Sequence, residues 1–185
     1  VAAVYPPLAK PREVVGVKDD RYEVGVEYDG TIQLADDTDL WEQTGDVAFF
    51  EVGTPPVRFG AGGCRKRLAD GYLPIVVSAF EHDGLRYEET VLGYSEGPSP
   101  DTDMWASVRL AVGNPSAQER VVDVALRFQG KSDVPAPLKR QIAIPGGSHA
   151  EACFRIPSPL KGRSPAAVDP PEFAARLAQV TTAWM

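Results

Sequence analysis

The chain has 185 residues, 43% of them hydrophobic and 24% charged, a composition that excludes intrinsic disorder and fits a folded globular domain. A chain of this length buries roughly 70% of the surface its unfolded form exposes, enough for one sizeable core. The net charge of −7 offers no basic face to displace the counterions of a nucleic acid, and no stretch approaches the ~18 apolar residues of a membrane span. Neither a nucleic acid nor a membrane is therefore expected as a partner.

Residues 1–20, which contain Pro6, Pro7 and Pro11, are expected to form an extended lead-in or an edge strand, because proline cannot donate to a sheet ladder. Alternation then sets in: Tyr22, Val24, Val26 and Tyr28 point one way, and Asp29-Gly30 predicts a two-residue hairpin turn before Thr31 to Ala35. Asp83-Gly84 repeats the device between Leu73–Glu81 and Leu85–Tyr94. Further strands are expected at Val47–Val52, Trp105–Val112, Val121–Phe128, Arg140–Ile144 and Ala150–Ile156, with Asn114-Pro115-Ser116 as a chain reversal between two of them. Gly60-Ala61-Gly62-Gly63 lacks the Lys-Ser or Lys-Thr ending of a phosphate loop, so it reads as an inter-strand loop. Arg65-Lys66-Arg67 after it reads as a solvated strand edge or loop. Short strands at near-regular spacing, with no helical repeat between them, predict an all-β fold, an antiparallel β-sandwich over residues 21–157.

Residues 158–185 break that pattern. A proline-rich linker leads to Pro170-Pro171, after which Phe173, Leu177, Val180 and Trp184 recur at helical spacing. A short C-terminal linker helix is expected, and an isolated helix of about three turns is marginal in water unless something receives its apolar face. Its place after the linker assigns it to the start of a further C-terminal domain, which makes Phe173, Leu177 and Trp184 the expected interdomain contacts. The other possibility is that it packs back on the sandwich.

Few residues suggest chemistry. Glycoside hydrolysis usually takes two carboxylates flanking one bond. Glu88 and Glu89 are adjacent on a strand and so face opposite sides of a sheet, while Asp37 with Asp39 and Asp101 with Asp103 lie in turn-rich segments where aspartate serves the backbone. His82 and His149 stand alone at predicted hairpin tips, without the second ligand a metal site needs. Cys64 and Cys153 are expected as free thiols. No catalytic residue, metal or cofactor is expected. Trp41, Tyr72, Tyr94 and Trp105 are the candidates for a carbohydrate-binding platform, since an aromatic ring presents a flat apolar face, although the core competes for such rings.

Asp70-Gly71-Tyr72-Leu73-Pro74-Ile75-Val76, the Asp83-Gly84 hairpin with Tyr87-Glu88-Glu89-Thr90, and a strand ending in Asn114-Pro115 before Val121–Phe128 carry a family resemblance. Together with the helix from Phe173 to Trp184, they resemble the amino-terminal β-sandwich of bacterial glycoside-hydrolase-like proteins whose catalytic part is an (α/α)6 barrel. The resemblance implies a non-catalytic accessory domain that packs against a C-terminal helical domain of the same polypeptide and shapes its cleft, with the catalytic carboxylates in the barrel. A carbohydrate-binding module for an oligo- or polysaccharide and a stand-alone hydrolase are the alternatives.

Overall fold

Alternating apolar residues pair into two antiparallel sheets in the computed structural model, which describes residues 12–15, 24–34, 46–96, 104–130, 133–160 and 162–185. The chain begins in sheet A with β1 (Arg12–Val15), β2 (Val24–Glu27), β3 (Ile32–Gln33), β4 (Val47–Val52) and β5 (Val57–Arg58). It then forms a meander in sheet B: β6 (Arg65–Leu68), β7 (Ile75–His82), β8 (Leu85–Ser95) and β9 (Met104–Gly113). A hairpin, β10 (Arg120–Gln129) and β11 (Leu138–Ile144), returns to sheet A, and β12 (His149–Ser158) and β13 (Ala166–Val168) complete sheet B. Sheet A runs β1-β2-β3-β4-β10-β11, with β5 on β4, and sheet B runs β13-β12-β9-β8-β7-β6. The fold is an all-β sandwich.

Side chains alternate along each strand, so one set from each sheet meets in the middle. Val24, Val26, Phe50, Val124 and Leu126 from sheet A face Val76, Tyr87, Val108, Leu110 and Phe154 from sheet B in one continuous core. Phe50 and Phe154 join the layers, with ring centroids 5.7 Å apart.

The two Asp-Gly turns differ in build. At Asp83-Gly84, His82 pairs with Leu85 across a two-residue loop whose members both have positive φ (49° and 72°), the geometry that matches strand twist. At Asp29-Gly30 the loop is three residues, Tyr28 to Gly30, closed by Glu27 N–H to the Thr31 carbonyl at 2.8 Å. Gly30 alone takes positive φ there, and Thr31 N–H donates to Asp29 Oδ1 at 3.0 Å. Tyr28 is consequently exposed rather than inward like Val24 and Val26.

Asn114 marks a crossover between the sheets rather than a hairpin, because β9 and β10 lie in different sheets. The return from β11 to β12 runs beside it. Asn114 Nδ2 donates to the carbonyls of Gln118 (2.7 Å) and Ile144 (3.0 Å), and its Oδ1 accepts from Ser116 N–H and Oγ. Its own N–H donates to the Ser148 carbonyl at 2.9 Å, so one buried side chain ties the two crossovers together.

The segment expected as a lead-in holds β1, the outermost strand of sheet A, and the segment expected as a linker holds β13, paired with β12. That pairing brings the chain to the edge of sheet B, where α1 (Pro170–Trp184) starts, with Asp169 as N-cap. The helix lies on the outer face of sheet B. Phe173, Leu177 and Val180 pack there with Leu73, Ile75, Leu92, Tyr94 and Cys153 in a second apolar cluster.

Candidate functional site

The outer face of sheet B is covered by α1 over β8, β9 and β12, while the outer face of sheet A carries an open trough of about 450 Å³. Its residues are the outward positions of three neighbouring strands. Ala125 stands opposite Glu51 of β4 on one side and Lys139 of β11 on the other, and Asp123 stands opposite Gln141. A small floor residue flanked by long polar ones is what opens the trough, and the turn Gly53–Pro56 closes one end.

The polar groups hold one another in place. Arg127 Nε donates to the Glu51 carboxylate, Thr54 Oγ1 donates to Asp123 Oδ2 at 2.9 Å, and Gln141 Nε2 donates to Asp123 Oδ1 at 3.1 Å. The Asp123 carbonyl also accepts from Gly53 N–H at 2.9 Å, which fixes the turn against β10. Two carboxylates, a guanidinium and an amide therefore present fixed donors and acceptors beside an apolar floor.

Sheet B places the sequence candidates differently. Tyr94 and Trp105 are register neighbours on the outer face, as a platform requires, but they lie at the helix. Tyr94 is 2% exposed, with the Arg176 guanidinium 4.6 Å over its ring, and so is removed as a binding platform. Trp105 is half-buried, with Arg155 and Arg163 at 5.0 and 5.1 Å from its ring. Tyr72 is exposed beside the short 3-10 turn Ala69–Gly71 and takes no part in the trough. Trp41, Asp37, Asp39, Asp101 and Asp103 lie outside the described residues. Of the three residues expected between domains, Phe173 is 2% exposed and packs on sheet B, Leu177 is partly buried beside it, and Trp184 remains 46% exposed.

Glu88 and Glu89 face opposite sides. Glu88 points outward to Arg109 at 3.4 Å and Arg67 at 3.8 Å. Glu89 points into the core, fully buried, and burial with the nearby Asp29 charge holds its carboxyl well above the usual carboxylate range. Both cysteines are free thiols. Burial, then the Glu151 charge, pushes the Cys153 thiol up to about 12, and burial raises the Cys64 thiol, whose Sγ donates to the Tyr28 carbonyl at 2.7 Å. His82 stacks on Phe80 at the end of β7, and His149 opens β12. Among the described residues no three His, Cys, Asp or Glu side chains converge as metal ligands.

Sequence reasoning missed the trough. Its one legible signal is the set of charged residues at outward positions, Glu51, Asp123 and Arg127; that β4 pairs with β10 across 76 residues of chain was not legible. No family model, no curated protein and no solved structure matches this chain.

Proposed function

We propose that this sandwich is a non-catalytic accessory domain of a larger carbohydrate-active protein, and that the sheet A trough is the surface it lends to saccharide binding beside a helical catalytic barrel. The trough is the observation that carries this reading. A saccharide offers apolar C–H faces edged with hydroxyls, and the floor at Ala125 flanked by Asp123, Gln141, Arg127 and Glu51 offers the matching contacts. Both carboxylates are committed to neighbouring donors, the arrangement of an ordered recognition surface. Trp184, left exposed where the apolar stripe of α1 runs off sheet B, supplies the contact to the barrel.

Titration against a panel of soluble oligosaccharides tests the reading. The intact domain is expected to bind at least one class, and Asp123→Ala or Arg127→Ala to weaken that binding about tenfold, the loss of roughly 1.4 kcal/mol of hydrogen bonding. Absence of binding to every glycan, or binding indifferent to both substitutions, would contradict it.

A further inference from the structure

The sandwich interior contains an acid that the trough does not use. Glu89 sits on β8 between Tyr87 and Val91, whose side chains belong to the inter-sheet core. Among the described residues neither of its carboxylate oxygens has a hydrogen-bond partner, and neither has the Oγ of Ser78, its equally buried partner in the β7–β8 register. An ionised carboxylate in such a place, without donors, is far more costly than a neutral one.

The carboxyl faces the β2–β3 turn. A Cβ on Gly30 would stand 2.8 Å from Glu89 Oε2 and 2.7 Å from the Phe59 ring, so the turn seats there only with glycine. From the other side, a Cβ on Gly60 would collide with the Asp29 carbonyl. The hairpin held in this slot is small: β3 pairs with β4 through Ile32 opposite Ala48 and Gln33 opposite Val47. Val24, Val26 and Ile32 of its strands are fully buried in the inter-sheet core, so the part that can open locally is the turn, Tyr28 to Gly30.

We propose that Glu89 is a proton-operated latch: neutral, it lets the Asp29-Gly30 turn seat against sheet B, and ionised, it drives that turn off sheet B while the strands on either side stay in the core. The charged and titratable groups around it are identifiable. The turn contributes Asp29, a like charge, and β5 contributes Arg58, which holds Asp29 at 3.8 Å and donates to Thr31 Oγ1 at 2.7 Å. Cys64 stands just before β6, and Lys66 on β6 donates to the Val26 carbonyl at 3.0 Å. Glu27 of β2 accepts from Gln33, and β9 presents the apolar Leu110. Because folding raises the Glu89 pKa, the latch is fully closed below the ordinary carboxylate range. Its hold is lost as pH climbs through the raised value.

Hydrogen exchange of the amides of Glu27, Gly30 and Thr31, corrected for intrinsic rates and followed across pH, reads the latch directly. In the wild-type domain, protection of this turn is expected to fall by up to about tenfold per pH unit, the limit for one proton, from the ordinary carboxylate range until the raised Glu89 value is passed. Glu89→Gln should keep its low-pH protection throughout. Asp29→Asn, which retains an acceptor for Thr31 N–H but removes the like charge, should leave the onset where it is and make the fall level off at a lower pH, with more protection left above it. The latch is overturned if Glu89→Gln opens with the same pH profile as wild type, or if the fall in Asp29→Asn levels off at the same pH and to the same depth as in wild type. Loss of protection spread equally over β7, β8 and β9 would also overturn it.

Discussion

Asn114 shows how much a single amide can hold. Both of its ends are engaged and its side chain is buried, so truncation removes several hydrogen bonds and leaves the Ile144 carbonyl without that donor. Asn114→Ala is expected to cost about 2–3 kcal/mol in urea denaturation, and Asn114→Asp more, because a carboxylate would face two carbonyls. The thiols make a second contrast at this scale. Cys153, buried and pushed up to about 12, should resist alkylation at pH 8, whereas the partly exposed Cys64 should label first by mass spectrometry. Asn114 was legible as a turn residue but not as the tie between two crossovers, since its partners at 144 and 148 are brought near only by the sheet topology. Glu89 was legible as facing away from Glu88. Which of the two faced the core depended on what covered each side of β8.

Elements divide along the same line. Val47–Val52 coincides with β4, and the Asp83-Gly84 hairpin and the long strands fall where alternation and turn chemistry placed them. The short strands β5 and β13 escaped notice, because two or three residues carry no period. The helix was legible from its spacing, and its seat on sheet B was not. A signal for that seat existed: Thr90-Val91-Leu92-Gly93-Tyr94 of β8 carries no charged residue and does not alternate, as expected of a strand with a layer on each face, and all five are buried. Two predictions belong to this element. Asp169 Oδ1 accepts from Glu172 N–H at 2.8 Å, so Asp169→Ala should cost about 1 kcal/mol through loss of the cap. Phe173→Ala should cost about 3–5 kcal/mol locally and release α1 while the inter-sheet core stays folded, because Phe173 belongs to the outer cluster. Hydrogen exchange would then rise in 170–184 and remain slow in β8 and β9.

At the scale of the whole molecule, the chain fills sheet A, builds the sheet B meander, crosses back for β10 and β11, and returns for β12. That path places β10 between β4 and β11, and the trough exists only because those three strands are neighbours. The class of fold followed from local pattern. The trough followed from pairing between distant segments, which one sequence does not reveal. The trough is where the proposed function is most directly exposed to test. Chemical shifts of the amides in β4, β10 and β11 should be followed while a soluble oligosaccharide identified from the panel is added. The account predicts saturable changes centred on Glu51, Asp123, Ala125 and Gln141 that vanish in Asp123→Ala. Changes centred instead on Tyr72 and sheet B, or none at saturating saccharide, would contradict it.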